Sequence, residues 1–437
     1  MPEEKRANGR APIGARRRWG CKGDIGSGRG ARKRHITSPP AKVSARLLVS
    51  TRMWRQGLLG AASVSAAALL WLACTVQYST AQSAPPFDAS PTDGATRDGG
   101  ASADADAEAA VALATVPPRP GTEDGDGEQS FVFALQSLVV NPGPDAGQEP
   151  RGYDMDGVAT CPGPPSCILD DAAPACDGPG GRDNAALDVV RSVGIDLDGR
   201  TAVNFAEGYS GVLVTVRGYN GGKNDRQVTV SLYNEARSQG TIDGGTGPDP
   251  DGGFVRPRYD GTDYWRVDLG GLATGPAEGT PCTMDTCVAV VRDTAAYVND
   301  GILVASLDIP IPVQGSRVDL RGGRLTARIV GTGADMRLED GVLQGRMLVR
   351  DILASLVDPF VGTTRLCNNP ASAALIKPVL CKARDLAADF NKDRASAPCG
   401  ALSLVALFSA PQARMGTATT GDGGSQAPCP EESIRCD

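Results

Sequence analysis

Ten cysteines between residues 161 and 436 constrain this chain more than any other feature of its sequence. An even number of cysteines in an exported protein predicts a disulfide framework, because disulfides form and persist in oxidising compartments. Zinc is the alternative for the first three, but their spacing contains no CxxC pair and no histidine lies nearby. We therefore predict disulfides for the whole set: Cys161, Cys167, Cys176, Cys282, Cys287, Cys367, Cys381, Cys399, Cys429 and Cys436.

Sequence separation alone suggests two of the five bridges. Cys282 and Cys287 are close in sequence, as are Cys429 and Cys436, so each pair is expected to close a short loop. The two remaining trios, 161/167/176 and 367/381/399, must then find partners within or between themselves. Each bridge is expected to contribute about 2–4 kcal/mol to stability.

An apolar run from Leu58 to Ala73 indicates how the chain is exported. It is shorter than the roughly 20 apolar residues of a membrane span, and Arg55 precedes it, so residues 53–73 are predicted to be a signal peptide. Its end, "WLAC", resembles a bacterial lipobox, which makes Cys74 the predicted lipidated N-terminus of the mature protein. Cleavage after Ala81 and an uncleaved anchor remain alternatives.

The charge of the chain is divided between two parts. Residues 1–52 carry fourteen of the 44 Lys and Arg residues but three of the 51 Asp and Glu residues. We interpret this segment as a mis-annotated extension upstream of a start at Met53, or as a disordered basic arm. The rest has 30 basic and 48 acidic residues, a net charge of −18. Such acidity argues against a nucleic-acid partner, because phosphates require Lys and Arg neutralisation.

The only histidine is His35, upstream of the predicted signal peptide. Its position argues against Ser-His-Asp and Cys-His catalysis and against His-ligated zinc in the exported part. Aromatic residues make up 5% of the chain, and Trp265 is the only tryptophan after Cys74, so a stacking platform for sugars or bases is not expected. These observations favour a protein that is not an enzyme.

Composition divides the exported part into a linker, a domain and a tail. Residues 74–129 are rich in Ala, Asp, Gly and Pro and are predicted to form a tether and a disordered acidic linker. Residues 130–414 are predicted to form one β-rich, disulfide-braced domain, and 415–437 a polar tail that contains Cys429 and Cys436.

The domain shows the alternating pattern of β-strands. "QVTVSLYN" places Val228, Val230 and Leu232 on one face, opposite "GVLVTVRGYN" in a hairpin. Gly322-Gly323 and Asp340-Gly341 are interpreted as two-residue hairpin turns. Short strands with glycine-rich turns predict a mainly β protein, an antiparallel β-sandwich or jelly-roll-like domain with a disulfide-linked helical C-terminal segment.

Three segments have helical patterns. One lies between Asp183 or Asn184, as N-cap, and Gly194, as C-cap. A helical segment at about 345–390 contains the other two, and Pro378 is expected to kink or restart the second of them.

Aspartate-rich loops are the best candidates for a binding site. "YDMDG" contains Asp154 and Asp156, and "GIDLDG" contains Asp196 and Asp198. Carboxylates at alternate positions suit calcium, in a structural role, as the one cofactor that these loops would take. An EF-hand loop beginning at Asp196 is excluded, because Arg200 would occupy one of its ligand positions and its sixth residue is not glycine. Asp177 and Asp183 lie in a further loop of this kind, and Asp-Gly pairs are also ordinary turn formers.

A carboxylate-dependent polysaccharide hydrolase is the alternative function. It would place Asp260 or Asp263 beside Trp265 in a cleft, since two facing carboxylates hydrolyse glycosidic bonds without histidine. The simpler interpretation of "YDGTDYW" is the start of a strand that buries Tyr264 or Trp265.

The order of several segments resembles uncharacterised secreted lipoproteins of delta-type, myxobacteria-like soil bacteria. The resemblance covers roughly Phe131 to Gly416 and rests on "GYDMDG", "DGPGGRDNA", "SGVLVTVRGYNGGKNDRQVTVSLY", "YDGTDYWRVD", "GVLQGRMLVRDIL", "PVLCKARDLAAD" and "CGALSLVALFSA". It implies export and no particular chemistry. The sequence thus predicts an exported protein of the cell envelope, an outer-membrane lipoprotein or a secreted or periplasmic protein. Its predicted role is a non-catalytic binding or structural module, membrane-held through its lipid, with an envelope or extracellular ligand.

Overall fold

The computed structural model describes residues 113–436 apart from short segments, namely 126, 141–150, 162, 170–174, 195–196, 210, 242–246, 250–253, 314–315, 361–363, 395 and 422–427. The strands are β1 (Gln129–Ala134), β2 (Ser137–Val140), β3 (Gly211–Tyr219), β4 (Asp225–Gln239), β5 (Tyr264–Asp268), β6 (Leu272–Thr274), β7 (Val288–Ala289), β8 (Val291–Asn299), β9 (Ile302–Val313), β10 (Ser316–Val330), β11 (Arg337–Leu348), β12 (Leu386–Ala387), β13 (Cys399–Pro411) and β14 (Arg414–Thr419). The helices are α1 (Ala185–Val193), α2 (Leu197–Glu207), α3 (Val349–Ser355), α4 (Pro370–Lys382) and α5 (Glu431–Ile434), with short 3₁₀ turns at 269–271, 333–335, 366–368 and 390–392. None of the described helices is long and apolar enough to cross a membrane.

Twelve strands form one sheet in the order β1-β3-β4-β8-β9-β10-β11-β13-β12, with β2 beside β13 and β5 beside β4. Its strand pairs are antiparallel except that β14 runs parallel to β5. The chain passes from β1, which pairs with β3, directly into β2, which pairs with β13. This bend at Leu135 and Gln136 joins strands from opposite ends of the sheet order. The predicted fold class, mainly β and antiparallel, is confirmed.

One hydrophobic core takes side chains from nearly every long strand of the sheet. Val228, Val230 and Leu232 of β4 are all at most 1% exposed and lie in this core, as their alternation predicts. Leu404 and Phe408 of β13, far along the strand order, belong to the same cluster. The inner faces of the two sheet ends therefore pack together as a sandwich.

The helices cover a second core on the sheet. Val189 of α1, Ile352 of α3 and Ile376 of α4 pack with Leu402 of β13. α1 begins after Asn184 and ends at Gly194, whose φ of 66° is the left-handed conformation that glycine adopts easily. Both ends agree with the sequence prediction, and α1 thereby places Asp183 just above β13.

Five disulfides join all ten cysteines of the described chain. They are Cys161–Cys176, Cys167–Cys399, Cys282–Cys287, Cys367–Cys429 and Cys381–Cys436. The predicted Cys282–Cys287 bridge is confirmed. The predicted Cys429–Cys436 bridge is wrong, because α5 lies on α3 and turns each of these cysteines towards a different partner near α4.

The two predicted hairpin turns are also wrong. Gly322-Gly323 lies inside the continuous strand β10, and Asp340-Gly341 lies inside β11. In both places the register shifts, so these residues form β-bulges. A Cβ on Gly323 would lie 2.5 Å from the backbone oxygen of Leu307 in β9, so glycine is needed for the close approach of neighbouring strands.

This close contact predicts the effect of a substitution. Gly323→Ala should lower the free energy of unfolding by about 1–3 kcal/mol, because the added methyl group forces strand backbones apart. Urea denaturation would measure the loss. Gly121→Ala is the control, since nothing lies within 4 Å of the added Cβ there. Equal stability of the two variants would contradict the close approach of the β9 and β10 backbones at Gly323.

The predicted segment boundaries change at both ends of the domain. Part of the predicted linker belongs to the domain: Ala114 accepts a hydrogen bond from the backbone of Asp154 (2.8 Å), and Pro117 accepts one from the Tyr297 hydroxyl (2.5 Å). Part of the predicted tail does too, because β14 extends past residue 415 and pairs with β5. Composition was misleading here, since backbone pairing does not require apolar side chains.

The helical prediction near the C-terminus is partly correct. α3 and α4 lie within residues 345–390, but the helix ends at Lys382 and β12 follows. α4 continues through Pro378, which therefore does not restart it. α2 was not predicted, because its Asp-Gly start was interpreted as a turn. The signal peptide, Cys74 and residues 1–52 lie outside the described residues.

Candidate functional site

Three aspartates converge where residues 151–158 cross the sheet beside the start of α1. One carboxylate oxygen each from Asp154, Asp156 and Asp183 lies within 4.8 Å of the others. The loop is held on β11 because the Gln344 side chain accepts a hydrogen bond from the backbone N–H of Tyr153 (2.8 Å). We call these three residues the acidic cluster.

Backbone amides satisfy part of the acidic cluster. Asp154 Oδ1 accepts hydrogen bonds from the N–H groups of Asp156 (3.1 Å) and Gly157 (2.6 Å). Asp156 Oδ1 accepts one from Val158 (2.8 Å), and Asp183 Oδ2 accepts one from Met155 (2.7 Å). These bonds fix the direction of each carboxylate.

Two oxygens of the cluster have no such partner. Asp156 Oδ2 and Asp183 Oδ1 are buried and accept no hydrogen bond in the described part of the chain. Asp156 is 9% exposed and Asp183 is 1% exposed. Burying a carboxylate oxygen without a donor or a cation is costly, so these two atoms mark a place where the described residues supply no hydrogen-bond donor.

Further acids surround the cluster. Asp177 accepts a hydrogen bond from the Thr160 N–H (2.6 Å), and Asp385 accepts hydrogen bonds from the Ser403 N–H (2.8 Å) and hydroxyl. Burial raises the pKa of Asp177 to about 6 and the pKa of Asp385 to about 7. Burial therefore disfavours the ionised forms of Asp177 and Asp385.

Within the acidic cluster, burial also raises the pKa of Asp156 and Asp183. Burial, followed by repulsion from Asp156 and Asp385, raises the pKa of Asp183 to about 10. Burial is also the main cause that raises the pKa of Asp156. The nearby Ser166 hydroxyl donates to the backbone oxygen of Asp385 (3.2 Å) and so leaves Asp156 Oδ2 without a donor among the described residues.

Two arginines lie near the cluster. Arg346 donates to the backbone oxygen of Met155 (3.3 Å), but its guanidinium is ion-paired with Asp393 and both side chains are at most 10% exposed. Exposed Arg394 lies against Gly157, where a Cβ would be 2.1 Å from its Nη2. Arg346 thus anchors the loop through a neutral carbonyl group, with its own charge balanced by Asp393.

The other predicted calcium residues are in different places. Asp198 belongs to the first turn of α2, and its Oδ1 accepts a hydrogen bond from the N–H of Val140 (2.8 Å). This bond ties α2 to β2 and takes Asp198 away from the acidic cluster. Asp196 lies outside the described residues. The structure brings Asp183 to Asp154 and Asp156 instead of Asp198.

The residues proposed for hydrolysis do not form a two-carboxylate cleft. Asp260 lines a surface cavity of about 470 Å³, and Asp263 is not among its lining residues. Asp263 instead accepts hydrogen bonds from the backbone of Arg258 and Tyr259, which closes a turn. Trp265 is fully buried and cannot stack on a ligand.

The protonation state of Asp260 also differs from that of a general acid. Hydrogen bonds from the Thr262 hydroxyl (2.5 Å) and N–H (3.0 Å) lower the pKa of Asp260. A glycosidase acid requires the opposite, a carboxyl group kept protonated by a raised pKa.

The fold and the acidic cluster together define a disulfide-braced, mainly β protein in which two buried carboxylate oxygens have no hydrogen-bond donor among the described residues. No family model matches the chain, and no curated protein or solved structure is significantly similar to it.

Proposed function

We propose that this chain works outside the cytoplasm as a non-catalytic binding or structural module, held to the cell envelope through a lipid on Cys74. One observation carries the proposal: all ten cysteines of the described chain are joined in disulfides. Such a set is typical of proteins that fold in an oxidising compartment and is rare where thiols are kept reduced.

The arrangement of the bridges supports a structural purpose. Cys167–Cys399 joins a loop to β13 across 232 residues of sequence, and two bridges hold α5 to the segment around α4. Bridges that span distant segments restrict the unfolded chain strongly, which suits a module exposed to proteases and lacking chaperones. The geometry around Asp260 and Asp263 gives the hydrolase alternative no support.

Lipidation is tested by metabolic labelling of the full chain with radioactive palmitate in a bacterial host. We expect label in the wild type and its loss in Cys74→Ser. Cys21→Ser is the matched control, since Cys21 is the other cysteine outside the disulfide set. It should label like the wild type. Absence of label from the wild type, or equal label in Cys74→Ser, would contradict the lipid anchor.

Export is tested separately by cell fractionation and thiol alkylation of the same proteins. The ten cysteines between residues 161 and 436 should resist alkylation in the envelope fraction until a reductant is added. Recovery of the folded protein in the cytoplasm with many alkylated cysteines would overturn the proposed location.

A further inference from the structure

We propose that Asp154, Asp156 and Asp183 bind one calcium ion. This site differs from the set that sequence spacing suggested, because Asp183 replaces Asp196 and Asp198. The inference is independent of where the protein is located, and it assigns a ligand to the two carboxylate oxygens that have no partner in the described part of the chain.

The unpartnered oxygens are the primary argument. Asp183 is 1% exposed, yet its Oδ1 receives no hydrogen bond from the residues that the structure describes, and the same is true of Asp156 Oδ2. Buried carboxylates in proteins are normally paired with cations or hydrogen-bond donors. A divalent cation between them would compensate both oxygens at once.

The ligand atoms and their spacing fit calcium. The three carboxylate oxygens lie within 4.8 Å of one another. Ca–O distances of about 2.3–2.6 Å allow two ligands of one ion to be up to roughly 5 Å apart, so one calcium ion can contact all three oxygens. The ligand atoms are hard oxygens, which calcium prefers and which are poor ligands for soft metals.

The loop has the rigidity that a calcium site needs. Each carboxylate already has one oxygen fixed by a backbone N–H, from Gly157, Val158 or Met155. Calcium takes six to eight oxygens, so backbone carbonyls and water would complete its shell. The ion would join residues 154–156 to the residue that precedes α1.

That connection gives the ion a structural role. α1 is held to β13 through Asn184, whose side chain accepts a hydrogen bond from the Val405 N–H (3.1 Å). The Ala185 N–H also donates to the Ser403 hydroxyl (2.7 Å). Bound calcium would therefore lock the 151–158 loop, the start of α1 and β13 into one unit.

Calcium binding is tested with the purified, oxidised full chain after removal of metals with EDTA. Titration calorimetry should show one saturable site for calcium, and calcium should raise the melting temperature. Magnesium at the same concentration should raise it less. Absence of saturable calcium binding at millimolar concentrations would overturn the site, and equal shifts with magnesium would overturn the assignment to calcium.

Asp183→Asn is the informative variant, because an asparagine can keep the hydrogen bond from Met155. We expect at least a tenfold loss of calcium affinity, since a charged ligand is removed. In EDTA the variant should be at least as stable as the wild type, because a buried acid whose ionised form is unfavourable is replaced by a neutral amide. In saturating calcium the wild type should be more stable than the variant.

Asp156→Asn provides a second ligand variant, and Asp198→Asn is the matched control, an aspartate whose oxygen also accepts a backbone hydrogen bond. The control should bind calcium like the wild type. Unchanged calcium affinity in both ligand variants would refute the site even if lipidation and export were demonstrated.

Discussion

Replacing Cys167 and Cys399 together with alanine should lower the free energy of unfolding by about 5 kcal/mol. The bridge closes a loop of 232 residues, and its main effect is to restrict the unfolded chain. The loss in entropy grows with the logarithm of loop length, which gives this bridge the largest expected contribution of the five. Urea denaturation of the purified protein would measure the change.

The short bridge supplies the control for this experiment. Cys282 and Cys287 are five residues apart, so their double alanine variant should lose about 2 kcal/mol. All four cysteines are at most 5% exposed, so the loss of packing is comparable in the two variants. Similar destabilisation of both would show that loop length does not determine the effect.

Arg346→Met should lower the free energy of unfolding by about 3–5 kcal/mol. Arg346 and Asp393 form a buried ion pair, with side chains 5% and 10% exposed. Removal of the arginine leaves Asp393 as an unpaired charge with a side chain that is only 10% exposed. It also removes the hydrogen bonds to the backbone oxygens of Ala387 (3.1 Å) and Met155 (3.3 Å). Chemical denaturation of the variant and the wild type would provide the comparison.

Two further variants separate charge from packing. Asp393→Leu added to Arg346→Met should restore much of the stability, because neither charge then remains buried. Arg321→Met is the exposed control: its ion pair with Asp351 has side chains 52% and 38% exposed, and its loss should cost about 0–1 kcal/mol. A double variant no more stable than Arg346→Met would exclude the unpaired charge as the cause.

Local patterns predicted the strands better than the connections between them. The alternation of Val228, Val230 and Leu232 is read correctly from sequence because each residue faces the core directly. Gly322-Gly323 and Asp340-Gly341 were assigned to turns because bulges and turns use the same residues. Only the positions of β9 and β13, which are distant in sequence, distinguish the two outcomes.

The acidic cluster shows a similar limit. Asp154 and Asp156 are recognisable from their alternate spacing, but the sequence does not show that Asp183 will be their neighbour. That contact depends on α1 docking against β13 and on the Cys161–Cys176 bridge between the two segments. The sequence gives no indication that Asp385 lies beside the cluster, since "CKARDLAAD" has the composition of a helix.

The connectivity of the bridges has a consequence for how the protein matures. Only Cys282–Cys287 joins cysteines that are neighbours along the chain; each of the other four bridges passes over at least one other cysteine. If the chain is oxidised as it emerges from a translocation channel, Cys161 meets Cys167 first, and that pair is not native. Correct assembly then requires reshuffling by a disulfide isomerase and cannot finish before Cys436 has emerged to pair with Cys381.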